Sequence, residues 1–309
     1  MQTALVTGVA GFIGSNLADE LLERGHEVRG IDTFATGRRA NLEPLRSDPA
    51  FSFSETDVRD AAPLGELLEG VDWVFHQAAV ASVPRSVDDP VTTTDINCTG
   101  TATVVDCARE AGVESLVVAS SSAVYGSGEE LPKVETMDVS PESPYALSKY
   151  YTEQLAVQAS DLYDLETVAL RYFNVFGPRQ DPQGEYAAVV PKFTELMLAG
   201  ERPVIYGDGE QSRDFVFVDD VVEANILAAQ SDVTGRVLNV ARGERLTIDE
   251  LVEHLNAVLG TAIEPTHDDP RPGDVRHSVA DIGRARATLG YDPAVGFREG
   301  LRETVEWFE

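Results

Sequence analysis

The chain has 309 residues, of which 43% are hydrophobic and 25% charged, ordinary values for a folded protein with a sizeable core. Acidic residues outnumber basic ones 53 to 24, so the formal net charge at pH 7 is −29. A surface of this sign repels polyanions, which argues against binding to nucleic acid and against docking on an anionic membrane. We therefore expect neither nucleic acid nor membrane as a partner.

The charge, the cysteines and the N-terminal residues predict the cellular setting. High net negative charge is one adaptation to concentrated salt, so we expect a halophilic protein. Cys98 and Cys107 are too few for a secretory disulfide framework. The sequence shows no signal-peptide pattern and no apolar run of about eighteen residues, and Met1 leads directly into a predicted strand. These features predict a cytoplasmic location.

Short apolar runs alternate with helical periodicity through the first half of the chain. The predicted strands cover residues 3–7, 27–32, 51–57, 73–76, 115–120 and 167–171. The predicted helices include residues 12–23, 99–111 and 145–163, with Pro144 at the start of the last one. The alternation predicts an α/β fold in which crossover helices cover a parallel sheet.

Beyond about residue 172 the chain is richer in turns. Residues 237–240 are short and apolar enough to return to the sheet, and Thr247 with Glu250 has the spacing of a helix capping box. We predict one domain over residues 1–171 and a smaller α/β domain over residues 172–309, with some segments of the second returning to the sheet.

A glycine-rich turn follows the first predicted strand. Gly8, Gly11 and Gly14 let the backbone turn tightly and approach a pyrophosphate, which the N–H groups of the following helix then face. Asp32 ends the second predicted strand, where a carboxylate accepts the two ribose hydroxyls of a dinucleotide and repels a 2′-phosphate. The pattern predicts a Rossmann-type, doubly wound sheet that binds NAD, although nearby Arg38 and Arg39 leave NADP open.

Tyr145 and Lys149 lie four residues apart, on one face of a predicted helix. An adjacent ammonium stabilises a phenolate and lowers the pKa of the phenol, which makes Tyr145 a candidate base. Serines 120–122 end the fifth predicted strand, at the sheet edge where ligands bind. Because only three of the 24 basic residues are lysine, we interpret Lys149 as functional.

These segments resemble the extended short-chain dehydrogenase/reductase superfamily, and within it the nucleotide-sugar 4-epimerases that act on UDP-glucose or UDP-N-acetylglucosamine. The resemblance covers essentially the whole chain and is carried by residues 8–14, 57–58, 76–79, 97, 120–126, 145–149, 171–177, 213–215 and 271–278. It implies an NAD-dependent isomerase of nucleotide-sugar metabolism, in which a UDP-hexose or UDP-N-acetylhexosamine passes through a transient 4-keto sugar. It also implies a homodimer, built on the helices at 99–111 and 147–163.

The resemblance assigns residues to three groups, and it makes residues 1–171 the NAD-binding domain and 172–309 the UDP-sugar domain. The implied catalytic residues are Ser121, Tyr145 and Lys149. The implied cofactor-binding residues are Gly8, Gly11, Phe12, Ile13, Gly14, Asp32, Asp57, Val58, Ala78, Ala79, Asn97, Tyr145, Lys149 and Tyr172. The implied substrate-binding residues are Ser82, Ser121, Tyr145, Asn174, Val189, Lys192, Tyr206, Arg213, Arg271, Asp274 and Ser278. No metal site is expected, since the histidines show no ligand spacing.

Three positions bear on the choice of reaction and substrate. Ser122 and Ala123 stand where the related dehydratases carry an Asp-Glu pair, so no acid is present to eliminate water and the chemistry stops at reversible oxidation. Ser278 stands where a bulky tyrosine would restrict the pocket, so we expect room for an acetamido group. Two alternatives stay open: a UDP-uronic acid 4-epimerase, and a non-catalytic NAD-binding scaffold protein.

Overall fold

The structure is a computed structural model, which describes residues 1–183, 188–270 and 275–309. The strands are β1 (Thr3–Thr7), β2 (Glu27–Asp32), β3 (Phe51–Glu55), β4 (Trp73–His76), β5 (Ser115–Ser121), β6 (Glu166–Tyr172), β7 (Asn174–Phe176), β8 (Val204–Tyr206), β9 (Ser212–Arg213), β10 (Phe215–Phe217), β11 (Arg236–Val240), β12 (Leu246–Thr247) and β13 (Thr266–Asp268). The helices are α1 (Phe12–Glu23), α2 (Ala61–Leu68), α3 (Val83–Asp88), α4 (Pro90–Thr94), α5 (Gly100–Ala111), α6 (Pro144–Leu162), α7 (Val189–Leu198), α8 (Val218–Gln230), α9 (Ile248–Leu259), α10 (Gly283–Leu289) and α11 (Phe297–Phe308). Across the described ranges, no helix is both long enough and apolar enough to span a membrane.

Seven strands form one sheet in the order β11-β6-β5-β4-β1-β2-β3, and every neighbouring pair is parallel. The run from β3 to β6 has the strand order of the Rossmann fold, which confirms the predicted fold class. At the far edge β11 pairs with β6, and Leu238 lies opposite Leu170. A strand from the C-terminal part of the chain thus completes the sheet, while the division at residue 171 stays a prediction.

The sheet is buried on both faces because its strands alternate between two apolar clusters. Ala4 and Val6 of β1 pack with α1 and α8 on one face. Leu5 of the same strand packs with α2, α5 and α6 on the other. Outside this sheet, the described C-terminal part of the chain contains three two-stranded sheets, which pair β7 with β10, β9 with β12 and β8 with β13.

Several predicted bounds differ from the observed ones by one or two residues. The strand predicted at 51–57 ends at Glu55, because the Asp57 carboxylate accepts the N–H of Arg59 at 2.9 Å and pairs with its guanidinium, which turns the chain. The helix predicted from residue 99 begins at Gly100, since a π-helical turn over Asp95–Thr99 precedes it. The predicted capping box is confirmed: Thr247 Oγ1 accepts the N–H of Glu250 at 3.1 Å, and the Glu250 carboxylate accepts the N–H of Thr247 at 2.7 Å.

We predict that Thr247→Ala lowers the free energy of unfolding by about 1 kcal/mol, because the N–H of Glu250 at the start of α9 loses the hydroxyl that accepts its hydrogen bond. Urea unfolding followed by circular dichroism measures the change. Thr288→Ala is the matched control, since Thr288 is exposed inside α10 and bonds only the Arg284 carbonyl of its own helix. Equal stabilities of the Thr247 variant and the parent would contradict the prediction.

Candidate active site

The turn between β1 and α1 lies at the carboxyl edge of the sheet. Gly8 has a φ of +68°, and a Cβ on it would lie 2.8 Å from the backbone nitrogen of Ala78. A Cβ on Gly14 would overlap the Gly8 carbonyl, so only glycine lets α1 pack this closely against the turn. Gly11 caps α1 without a side-chain hydrogen bond, and no acidic residue occupies the first turn. The N–H groups at this end of α1 are therefore available to an anion.

Asp32 at the end of β2 borders the same turn. Its carboxylate accepts hydrogen bonds from the N–H of Ala10 at 3.0 Å and from the N–H of Phe34 at 2.7 Å. Burial outweighs these bonds and raises the pKa of Asp32 above its ordinary value. Of the two arginines predicted nearby, Arg38 lines the cavity described next, whereas Arg39 pairs with the exposed Glu55 at 3.0 Å.

A cavity of about 320 Å³ joins the glycine turn, Asp32 and one face of α6. Of the predicted cofactor-binding residues, it is lined by Gly8, Gly11, Phe12, Ile13, Gly14, Asp32, Asp57, Val58, Ala78, Ala79, Tyr145, Lys149 and Tyr172. Asn97 instead lies behind the cavity wall, 1% exposed, in the π-helical turn. Its side chain accepts the N–H of Val80 at 2.8 Å and donates to Ser148 Oγ at 2.9 Å, so it supports the wall and the helix α6.

Helix α6 brings Tyr145 and Lys149 to this cavity. The helix begins where the Ser143 hydroxyl accepts the N–H of Ala146 at 3.1 Å, with Pro144 in its first turn as predicted. Ser121, the last residue of β5, hydrogen-bonds the Tyr145 side chain and accepts the N–H of Ala123 at 3.2 Å. Lys149 donates its Nζ hydrogen to the Ala119 carbonyl at 2.9 Å. The three predicted catalytic side chains thus lie together at the carboxyl end of β5.

The pKa of Tyr145 differs from the sequence expectation. An adjacent Lys149 was expected to lower it, but burial raises the pKa of this phenol above 10.0, and the hydrogen bond to Ser121 offsets only part of the effect. Burial also lowers the pKa of Lys149 to about 8, with Glu153 acting in the opposite direction. Both groups therefore favour their neutral forms more than they do in water.

A buried ion pair lies below Lys149 and was not predicted from the sequence. Arg171 of β6 donates from Nε and Nη2 to the two Glu153 oxygens at 2.7 and 2.8 Å. The Ser120 hydroxyl donates to the same carboxylate at 2.5 Å. The side chains of Glu153 and Arg171 are 0% and 4% exposed. Glu153 follows Lys149 by four residues on the same helix face, a spacing visible in the sequence.

Two further groups bordering the cavity have partners that only the tertiary structure supplies. The Tyr172 hydroxyl donates to Asn225 Oδ1 of α8 at 2.9 Å and contacts the Gln77 amide, and burial raises its pKa. Arg179 lines the cavity next to the glycine turn, donates to the Ser15 carbonyl at 2.8 Å and pairs with Asp19. Asn225 and Asp19 are distant in sequence from the residues they bind, so no local pattern could have revealed these contacts.

The predicted substrate-binding residues lie mostly outside this cavity. Ser82 caps α3, Val189 and Lys192 lie in the first turns of α7, and Tyr206 ends β8. Arg271 and Asp274 lie outside the described residues. In the described ranges, no group of three or more His, Cys, Asp or Glu side chains has the geometry to hold a metal ion.

Asn174, Arg213 and Ser278 are joined through the segment of residues 212–214. Asn174 of β7 donates its side-chain amide to the Asp214 carbonyl at 3.2 Å, and Arg213 is the preceding residue in the chain. Ser278 donates its N–H to the Ser212 carbonyl at 3.0 Å. The Asp214 carboxylate accepts the N–H groups of Arg242, Gly243 and Ala280, which fastens these segments together.

The sequence and the fold of this chain are similar to those of known proteins. The family model described as the NAD dependent epimerase/dehydratase family matches residues 4–241. A UDP-glucose 4-epimerase from Mycolicibacterium smegmatis is 44% identical over 98% of this chain and 97% of its own length. The solved UDP-N-acetylglucosamine 4-epimerase from Methanobrevibacter ruminantium, in complex with UDP-N-acetylmuramic acid, is 42% identical with a TM-score of 0.96 over 99% of this chain and 98% of that one.

A second solved structure was determined with NAD. The UDP-glucose 4-epimerase from Thermus thermophilus is 40% identical with a TM-score of 0.89, over 99% of this chain and 98% of that one. The glycine turn, Asp32 and the Tyr145–Lys149 helix are thus found in a chain that matches such enzymes along nearly its full length. The chain belongs to the NAD-dependent epimerase/dehydratase family.

Proposed function

We propose that this protein is an NAD-dependent UDP-sugar 4-epimerase that acts on UDP-hexoses and UDP-N-acetylhexosamines. The observation that carries the proposal is one cavity in which the glycine turn and Asp32 face Tyr145 and Lys149. A dinucleotide site and a proton-transfer pair in one cavity suit reversible oxidation of an alcohol. The relatives named as UDP-glucose and UDP-N-acetylglucosamine 4-epimerases support the choice of substrate class.

The residues present fit NAD. The N–H groups at the start of α1 suit the pyrophosphate, and Asp32 suits the ribose hydroxyls. The glycines of the preceding turn pack so closely against neighbouring backbone that a Cβ on them would clash with it. Asp57 and Val58 would border the adenine, Ala78 and Ala79 the central channel, and Tyr172 the nicotinamide side. When bound, NAD supplies an acceptor and donor of hydride for C4 of the sugar.

Tyr145 is the proposed acid and base. As a phenolate it takes the proton of the sugar 4-hydroxyl, and as a phenol it returns a proton to the 4-keto sugar after that sugar has turned over in the site. Ser121 hydrogen-bonds Tyr145 and is placed to bond the same sugar oxygen. Because burial raises the pKa of Tyr145, the phenolate needs nearby positive charge, which the Lys149 ammonium provides.

The diphosphate and uridine of the substrate are assigned to the C-terminal segments. Arg213 and Arg271 supply cations for the dianionic diphosphate, and Asn174 and Asp274 supply hydrogen bonds. Val189, Lys192 and Tyr206 are assigned to the uridine pocket, and Ser82 to the sugar. Residues 172–309 would then form the substrate domain that faces the NAD-binding residues 1–171.

The two alternatives are less well supported. A UDP-uronic acid 4-epimerase needs an additional cation for the C6 carboxylate, which we cannot assign, and the relative named UDP-glucuronate 4-epimerase is only 33% identical. A non-catalytic scaffold needs none of Ser121, Tyr145 and Lys149, yet all three are present and adjacent. The cytoplasm of a salt-adapted cell is the setting that we propose, and the acidic composition of the chain suits it.

We also propose that the protein is a homodimer. Helix α6 exposes Leu147 and Leu162, which are 58% and 68% exposed, together with Tyr151. Helices α3 and α4 pack beside α6 and expose Val87 and Val91. The apolar residues of α5 are instead buried against α2, so α6 rather than α5 supplies most of the apolar contact surface.

To test the function, purified protein and its Tyr145→Phe variant are incubated with UDP-galactose and with UDP-N-acetylgalactosamine, and the products are resolved by chromatography. We expect the parent to convert both sugars and the variant to lose activity about 10²- to 10⁴-fold, because the proton carrier is gone. Tyr150→Phe on the same helix is the control and keeps its activity. No conversion of either sugar by the parent would overturn the proposal.

Ser278→Tyr tests the substrate range. We expect kcat/KM for UDP-N-acetylgalactosamine to fall at least tenfold, with UDP-galactose nearly unaffected, because a tyrosine ring fills the space assigned to the acetamido group. The two substrates are controls for each other within one protein sample. Equal losses for both sugars, or none, would refute the role given to Ser278.

The dimer is tested by light scattering after gel filtration. Tyr151→Glu places a charge on the apolar face of α6, so we expect the mass to fall from two chains to one. Trp307→Glu on α11 is the control, since Trp307 is similarly exposed at 43% but lies on another helix. A parent protein that already elutes with the mass of one chain would contradict the proposed homodimer.

A further inference from the structure

Glu153 takes no part in the chemistry proposed above, although it shares a helix face with Tyr145 and Lys149. The three side chains follow one another at intervals of four residues along α6, which places them in one row. Burying a carboxylate is costly unless the charge is paired and hydrogen-bonded. A fully buried glutamate one turn below an active-site lysine therefore calls for a role.

The contacts of Glu153 tie it to the strand that holds Lys149. Ser120 of β5 donates to Glu153 Oε1, and the neighbouring Ala119 carbonyl accepts the hydrogen bond of Lys149. Two consecutive residues of one strand thus hold a carboxylate and an ammonium of the same helix. Arg171 fixes the other side of the carboxylate with two hydrogen bonds, so its position is set by β5 and β6 together.

The groups around Lys149 show which of them influences its charge. His76 of β4 is buried and neutral, because its pKa is lowered to about 3, and its ring nitrogens contact Thr7 and Thr101. Cys98 of the π-helical turn is a thiol whose pKa is raised by burial, and Tyr145 is a phenol. Glu153 and, to a smaller extent, Cys98 raise the pKa of Lys149 against the effect of burial.

We propose that Glu153 is a positioning residue that keeps the Lys149 side chain charged and in place beside Tyr145, with Arg171 and Ser120 holding the carboxylate for that purpose. The effect on reaction rate rests on the proposed epimerase function, whereas the effect on the Lys149 side chain does not depend on that function. Burial outweighs the effect of the carboxylate and lowers the pKa of Lys149 to about 8, so Lys149 loses its proton near pH 8. Removal of the Glu153 charge moves that loss to lower pH.

The first experiment observes Lys149 without using activity. Protein labelled with ¹³C-lysine gives signals from three lysines only, and the Lys149→Met variant identifies the signal of Lys149. We expect the ¹³Cε shift of Lys149 to titrate near pH 8 in the parent and at least one pH unit lower in Glu153→Gln. Glu306→Gln removes an exposed carboxylate of α11 and is the matched control. We expect Lys149 to keep the titration midpoint of the parent in this variant.

Two further variants guard against loss of the fold. Glu153→Gln leaves Arg171 buried without its partner, so the double variant Glu153→Gln with Arg171→Gln removes both charges together. It too should titrate Lys149 at lower pH, because the carboxylate is gone. Glu153→Asp keeps the charge and should restore much of the parent midpoint. A Lys149 midpoint unchanged in both the single and the double variant overturns the proposal.

The second experiment measures the pH dependence of kcat for UDP-galactose. In the parent we expect the rate to fall as the pH rises through about 8, since Lys149 becomes neutral and no longer stabilises the Tyr145 phenolate. In Glu153→Gln the pH at which kcat falls should decrease by the same number of pH units as the NMR midpoint of Lys149. If kcat of the variant is lower by the same factor at every pH, and the pH at which it falls is that of the parent, Glu153 has a structural role only. If the parent has no epimerase activity, the proposed function fails while the NMR titration still tests Glu153.

Discussion

The constraint on which the structure depends is the parallel pairing of a sheet that is buried on both faces. Parallel strands need crossover helices, and these bring every strand back in the same direction, so that all carboxyl ends meet at one edge. Gly8 follows β1, Asp32 ends β2, Ala78 follows β4, Ser121 ends β5 and Tyr172 ends β6. Residues spread over more than 160 positions therefore border one region. The chain reverses its strand order between β1 and β4, which opens the crevice that the glycine turn occupies.

Positive charge is the second requirement, because the proposed substrate is a dianionic sugar diphosphate and an acidic chain must place its cations selectively to bind it. Lys133 and Lys149 are each 5% exposed, and Lys192 is half-buried, so none of the three lysines is an ordinary surface residue. Lys149 donates to the Ala119 carbonyl and Lys133 to the Gly128 carbonyl. A compact ammonium suits such single contacts to the backbone, whereas the guanidinium of Arg171 suits the two-pronged contact with Glu153. The division between lysine and arginine thus follows the geometry of each site.

Charges buried near the active site influence one another. Burial raises the pKa of Tyr145 and lowers the pKa of Lys149. The charged form of each side chain is therefore stabilised only when an opposite charge lies close to it. The Glu153–Arg171 pair introduces one carboxylate and one further cation into the same interior. Burying such a pair adds little net stability, but breaking it by removing one partner costs about 3–5 kcal/mol. Its value to the protein is better explained by the position and charge that it gives to Lys149.

Local patterns in the sequence predict the helices and strands whose formation depends on residues close together in the chain. The bounds of β1, α1, β2 and β4, the capping box at Thr247 and the pairing of Tyr145 with Lys149 on one helix face follow from periodicity and spacing. The resemblance to a known family named the cofactor residues that were later found around one cavity, apart from Asn97, which supports the wall from behind.

The tertiary structure alone decided the electrostatics and the supporting contacts. Burial, which no local pattern reports, reversed the expected direction of the Tyr145 pKa. The partners of Tyr172 and Arg179, and the pairing of Glu153 with Arg171, join residues from different helices and strands. By itself, then, the sequence determined many of the elements, the fold class and the identity of the reactive groups, because these follow from periodicity and from short motifs along the chain. Only the folded structure determined how each group is solvated and held, because solvation and contact depend on residues that the fold brings together from a distance.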